Sequence, residues 1–281
     1  MCNNTMPLPP NYAKHIEPHK LPFEFMEKNT TIEFKTGMKV NNYRSSYIFV
    51  VDANVEEKEL AAIREEVAKV VEGLPEHYNV GLITYGKNVK VYELGSRINT
   101  NFCINGTKDY NLVGVMDLLG VQAKNDPQSH NSDITKRFIV PVNTHRQVII
   151  SRVRNLRPEN QITVNERKQS CLGQAINISI CMAEVSPIST RVVYCVGNPC
   201  TVGPGITIST NFKEQMRSPE ELGRGENLKY FAAAKSYYDS FIRRMMARQI
   251  VLDIFIFTCN EIGFTEMSDL FTSSGGFVVM H

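Results

Sequence analysis

Residues 47–60 read YIFVVDANVEEKEL, an apolar run that ends in an aspartate and leads into an acidic segment. Tyr47–Val51 is aromatic and β-branched with no polar alternation, the pattern of a strand buried on both faces. Asp52 falls where such a strand leaves the sheet, and Asn54 is placed to cap the helix that follows. Glu56, Glu57 and Glu59 set negative charge against the positive end of that helix's dipole. Leu60, Ile63, Val67, Val70, Val71 and Leu74 recur at helical spacing, so one face packs on the sheet. A second apolar run, NVGLITYG at 79–86, completes a strand–helix–strand unit. Two buried strands joined by a crossover helix imply a doubly wound, mostly parallel α/β sheet flanked by helices.

The remaining chain continues this alternation. Val89–Leu94 alternates polar and apolar residues and is expected as an antiparallel edge strand, with Phe102–Ile104 extending that edge. Helices are expected over Asp109–Leu119, Arg146–Leu156, Cys171–Val185 and Glu261–Phe271, with a long one over Glu226–Arg248. The Cys171–Val185 helix is apolar nearly all round and should be deeply packed. Arg191–Val196, Ile250–Thr258 and Phe277–Met280 read as strands. Upstream, Met1–His19 is proline-rich and irregular, and Thr30–Lys35 alternates as a half-exposed strand. Val121–Lys136 is polar, contains Pro127 and has no period, which predicts a mobile loop.

Composition narrows the function classes. A net charge of +2 in 281 residues gives no electrostatic argument for nucleic acid. The odd count of seven cysteines, with Cys103, Cys171, Cys181, Cys195 and Cys259 in or beside apolar stretches, reads as reduced, buried thiols of a cytoplasmic protein. The first twenty residues lack the apolar core of a secretory signal, and the run Ile250–Phe257 is too short to span a bilayer. A dinucleotide site needs glycines between the first strand and its helix, but DANVEE supplies acids that repel phosphate. No Gly-x-x-x-x-Gly-Lys loop or Gly-x-Ser-x-Gly elbow occurs, which weighs against a small-molecule enzyme on this fold. The six histidines make no metal or triad pattern, and Gly-Pro-Gly at 203–205 reads as a turn.

The strand-end aspartate carries more information. The order of elements resembles the von Willebrand factor A fold, in which Asp-x-Ser-x-Ser after the first strand binds Mg²⁺ through small oxygen ligands. Asp52 matches the first ligand, whereas Asn54 and Glu56 replace the serines. Leu172 stands at the position of a threonine ligand, and Gly197–Asn198 replaces Asp-Gly. A metal-dependent adhesion module is the rival that these replacements oppose. The expectation is a degenerate site in which Asp52 braces loops and no divalent ion binds.

A closer resemblance lies in collinear segments: Pro-Pro-x-Tyr at Pro9–Tyr12, TTIEF from Thr30, VVDANVEEKEL, NVGLITYGKNVKVYELG at 79–95 and NGTKDYN at 105–111. PCTVGPG at 199–205, AKSYYDSFIRRMMARQIVLDIF at 234–255 and SSGGFVVM at 273–280 complete the set. With these, residues 21–281 are similar to the trunk of the GTPase-activating subunit of the inner COPII vesicle coat, the Sec twenty-three family. That resemblance implies a trunk that joins the homologous trunk of the cargo-adaptor subunit and touches a Sar-type small GTPase. Contacts with the outer coat and the membrane surface would come through the full-length protein, at the endoplasmic reticulum membrane and on COPII vesicles. It also implies that residues 1–20 end a zinc ribbon in which Cys2 is the last of four ligands, so zinc belongs to the full-length member and this stretch alone holds no cofactor. The arginine that stimulates GTP hydrolysis lies in a later module, so no catalytic residue is expected here. Open sheet edges need cover, and two readings stand for this one. Tyr92, Phe102 and Ile104 contact the partner trunk, or Thr30–Lys35 covers them.

Overall fold

A computed structural model describes residues 45–121, 132–159, 161, 165–258 and 261–280, with isolated positions (10, 14, 16, 17, 21–23 and 26) before them. The chain divides into a unit Met1–Val40 and a unit Asn41–His281. Cys2, Thr30–Lys35 and Cys259 lie outside the described residues.

The larger unit is one eight-stranded sheet between two helical layers. Its first strand, β1 (Ser45–Asp52), lies at the centre and pairs in parallel with β2 (Asn79–Tyr85) and β6 (Ser189–Val196). Beyond β6, β7 (Val251–Ile256) and β8 (Val278–Met280) continue the parallel array. Beyond β2, β3 (Asn88–Tyr92) and then β4 (Asn101–Asn105) add antiparallel strands, while the two-residue β5 (Val140–Pro141) pairs with the start of β2. The expected fold class is therefore the observed one. Among the described residues, however, the edge is β4: β3 is covered on both sides, and Val89, Val91 and Leu94 are fully buried. Cys103 on β4 is exposed, unlike Cys171, Cys181, Cys195 and Cys200, because it points outward from the edge strand.

One helical layer holds α1 (Glu57–Gly73) and α4 (Val142–Arg154), which bury Leu60, Val67, Val71, Ile149 and Val153 against Phe49, Val51, Val80 and Leu82. The opposite layer holds α2 (Leu112–Leu118), α5 (Leu172–Val185), α7 (Phe231–Asp239), α8 (Ile242–Ala247) and α9 (Phe264–Ser274). α5 is buried from Leu172 to Ala183, as its all-round apolarity predicts.

Two expectations change. The long helix over Glu226–Arg248 is divided: α7 ends at Ser240, whose hydroxyl donates to the Tyr237 carbonyl at 2.6 Å, and α8 restarts after Phe241. A separate short helix, α6 (Pro219–Arg224), precedes them, capped by Ser218 with Glu221 reaching back. The segment read as a loop over Val121–Lys136 is anchored at both ends. Val121 is buried and its N–H donates to the Met116 carbonyl, and Ser132–Arg137 forms α3 with Ile134 buried. Ile134, Phe138 and Ile139 supply the apolar anchor that a purely polar loop lacks. Residues 122–131 lie outside the description.

The turn at 203–205 is a packing device. Gly203 has φ +81°, and a Cβ there would lie 2.1 Å from the Gly106 carbonyl oxygen. Gly203→Ala is therefore expected to cost about 2–4 kcal/mol in urea unfolding, because strain and overlap add. Gly223→Ala, in a helix with open space around it, should be neutral or stabilise by up to about 1 kcal/mol.

Candidate functional site

The sequence places Asp52 at the end of the most central strand, and the structure buries it completely. Three N–H groups converge on its carboxylate. The Asn54 backbone donates to Oδ1 at 2.9 Å, Gly197 donates to Oδ2 at 3.2 Å, and Asn198 Nδ2 donates to Oδ2 at 3.0 Å. Burial pushes its pKa up from 3.8 to about 6, and these donors pull against that rise. The carboxylate thus ties the loop after β1 to the loop after β6.

Asn54 is buried and does not cap α1. Its amide donates to the Gln169 carbonyl, and its Oδ1 has no partner. The N-cap is Glu56, exposed, with its N–H bound by the Glu59 carboxylate at 3.0 Å. Position 56 thus serves the helix and turns away from Asp52. Leu172 is the first residue of α5 and fully buried, contributing only apolar surface. A residue that sequence reasoning missed comes close instead: Lys168 Nζ donates to the Asn54 carbonyl at 2.6 Å, an oxygen that Asn198 Nδ2 also approaches at 3.5 Å. Glu159 joins from the same segment, its N–H bound to the Ala53 carbonyl at 2.6 Å and its carboxylate accepting from the Lys87 N–H at 2.7 Å.

This donor set does not fit a hard divalent cation. Mg²⁺ needs a near-octahedral shell of oxygens with free lone pairs. Both Asp52 oxygens already accept N–H bonds, and the surrounding groups are amide NH₂ and an ammonium, which repel a cation. Asn54 Oδ1 is a spare oxygen beside Asp52, a neutral amide acceptor rather than a second carboxylate.

The residues expected at a partner edge are dispersed in role. Ile104 is 2% exposed and packs in the core, so it has no surface to present. Its side chain falls on the inner face of β4 because strand side chains alternate. Phe102 is half-buried, edge-on to Phe138 at 5.4 Å with the Arg137 guanidinium over its ring. Tyr92 is half-buried, its hydroxyl 3.5 Å from that of Thr84. The outward positions of β4 are Asn101, Cys103 and Asn105.

The fold is that of a von Willebrand A-like α/β domain, a mostly parallel sheet with helices on both faces and an antiparallel edge. The chain belongs to the Sec23/Sec24 trunk domain family, whose model matches residues 43–281. Among solved structures, the human COPII-coat protein Sec24c aligns over 84% of this chain at 15% identity with a TM-score of 0.53, and the chain spans 29% of that protein. A von Willebrand factor type A structure from Catenulispora acidiphila aligns over 85% of this chain and 38% of its own length, at 8% identity and a TM-score of 0.45.

Two outcomes follow from the site chemistry. Because the donors oppose a cation, the melting temperature in millimolar MgCl₂ or MnCl₂ is expected to equal that in EDTA, with no saturating rise that Asp52→Ala removes. The second outcome concerns pH. Folded Asp52 keeps its proton up to about 6, whereas the unfolded side chain releases it near 3.8. The native state binds more protons in that window, so the contribution of Asp52 to stability is complete below 3.8 and lost as pH rises through 6. The stability of the wild type relative to Asp52→Asn should therefore fall by about 2–3 kcal/mol across this window, read from urea titrations at each pH.

Proposed function

We propose that this chain is a protein-interaction platform of a COPII-type vesicle coat. The family match over residues 43–281 carries the reading, and the fold likeness to the COPII-coat protein Sec24c supports it. In this reading the trunk pairs with the homologous trunk of the cargo-adaptor subunit and touches a Sar-type GTPase, on the cytoplasmic side of the endoplasmic reticulum membrane. The full-length protein accelerates GTP hydrolysis, and its zinc belongs to a ribbon in which Cys2 is the last ligand. The trunk itself contributes surface rather than catalysis.

The strand β4, last in the sheet order among the described residues, is the surface proposed for the partner trunk. It is a five-residue strand that ends the sheet order, with Asn101, Cys103 and Asn105 exposed and Phe102 half-buried beside them. An unpaired edge offers backbone groups for strand addition. Pull-down and calorimetry with the cargo-adaptor trunk and with the GTPase test the reading. Cys103→Glu and Phe102→Asp are expected to weaken trunk pairing about tenfold or more, the Cys103 variant without loss of melting temperature, since its side chain packs on nothing in the core. Unchanged affinity in both variants would move the interface away from this edge.

A further inference from the structure

A recess of about 490 Å³ opens in the helical layer between the start of α2, the middle of α5 and the junction of α7 with α8. Asp109, Tyr110, Asn177, Tyr237, Phe241 and Arg244 line it. Two hydrogen bonds fix its walls to α5. Asn177 is buried there and donates its amide N–H to the Tyr110 carbonyl at 2.7 Å, and the Tyr237 hydroxyl donates to the Gly173 carbonyl at 3.3 Å. Tyr237 also stands edge-on to Phe241, with ring centres 5.0 Å apart. Phe241 is buried, whereas Tyr110 and Tyr237 stay half-buried and keep aromatic surface in the opening.

One half of the recess already holds a guanidinium. Arg244 donates from Nε to Glu184 at 3.1 Å and from Nη2 to the other oxygen of the same carboxylate, and it lies 5.6 Å over the Phe241 ring. A planar cation is thus held by one carboxylate and one aromatic face, a combination that suits arginine better than lysine. The other half repeats the carboxylate and the rings without the cation. Asp109 is exposed and has no hydrogen bond or ion pair among the described residues. Burial, and after it the charge of Asp109, raise the pKa of the Tyr237 hydroxyl, so this carboxylate is the strongest charge acting on that ring. Lys108, its neighbour in sequence, is exposed and outside the lining. With Arg244 matched by Glu184, Asp109 leaves the recess one unmatched negative charge. An anion is opposed by that charge, an apolar ligand would strip water from it with nothing in return, and one carboxylate is too few for a divalent cation.

We propose that this recess receives one arginine side chain of a partner polypeptide, its guanidinium forked onto Asp109 and lying on the Tyr110 and Tyr237 rings, as Arg244 lies on Phe241 and forks onto Glu184. The charge complementarity is one to one, and the half-buried tyrosines supply the flat surface on which the plane of the cation rests. The inference rests on this recess alone and stands whether or not β4 meets a partner trunk.

The probes are two capped tripeptides, Ala-Arg-Ala and Ala-citrulline-Ala, which share a shape and differ in one charge, titrated into the intact chain and followed by amide NMR shifts. The arginine peptide is expected to bind about fivefold more tightly, the joint effect of a partly exposed ion pair and a cation over aromatic rings. Shifts should centre on Tyr110, Asn111 and Tyr237, and Ala-Lys-Ala should bind more weakly than the arginine peptide. Asp109→Asn, at an exposed position without a bond to lose, should keep the melting temperature and abolish the preference for arginine over citrulline. Asp117→Asn removes an exposed charge on α2 outside the recess and should leave that preference unchanged. Equal affinities for arginine and citrulline, a preference that survives Asp109→Asn or disappears in Asp117→Asn, shifts centred elsewhere, or no binding by either peptide would overturn the proposal. Guanidinium chloride that binds as tightly as the arginine peptide would assign the recess to small free cations and overturn it as well.

Discussion

The bonds around the Asp52 carboxylate hold the loops at the carboxyl end of the central strands together. Removing the acid would strand the N–H groups of Asn54 and Gly197 and the Asn198 amide in a buried setting, where each unpaired donor costs on the order of 1–3 kcal/mol. The same acid is costly to bury as an ion, and its raised pKa measures that opposition. The chain after β1 is bound further outward from this point. Ala53 donates to the Tyr85 carbonyl at 2.8 Å and accepts from Glu159, while Asn54 links to Gln169 and Lys168. Glu159, Lys168 and Gln169 are thereby drawn onto the carboxyl ends of these strands.

The second constraint is the close seating of α5 against the 200–205 loop. Gly173 at the first turn of α5 leaves room for the Pro204 carbonyl, where a Cβ would lie 2.1 Å away. Tyr238 donates to the Gly205 carbonyl at 2.8 Å and Tyr237 to the Gly173 carbonyl at 3.3 Å, so α7 clamps the loop onto α5. Cys200 is buried in this seam and burial pushes its thiol up to about 11, which keeps it an inert packing group. Glycines and tyrosines, not charges, therefore seat this loop on α5.

Surfaces for other molecules lie at the periphery of this frame. α1 and α4 cover β1 and β2, leaving Phe255 and Val279 on the far strands 41% and 46% exposed. At the opposite end of the sheet, β4 stops the strand order with polar outward side chains. A platform domain is consistent with this arrangement: a rigid parallel centre, and contacts assigned to edges and loops.

Much of the centre was legible in the residues themselves. The apolar runs at the heart of β1, β2 and β6 and the all-round apolar α5 declare their burial without any partner in view, because burial on both faces leaves no polar period. Asp52 could be singled out because strand ends in doubly wound sheets face the crevice. Asn54, Glu56 and Leu172 could be seen to depart from a metal motif, but not where each side chain would go. Only the tertiary structure decided that Asn54 turns inward to Gln169, that Glu56 caps the helix, and that Ile104 is core while Cys103 is surface. Lys168 was invisible for the same reason. It lies more than a hundred residues from Asn54 in a stretch with no period, and local pattern cannot report a bond whose partner is set by how the loops of separate strands meet.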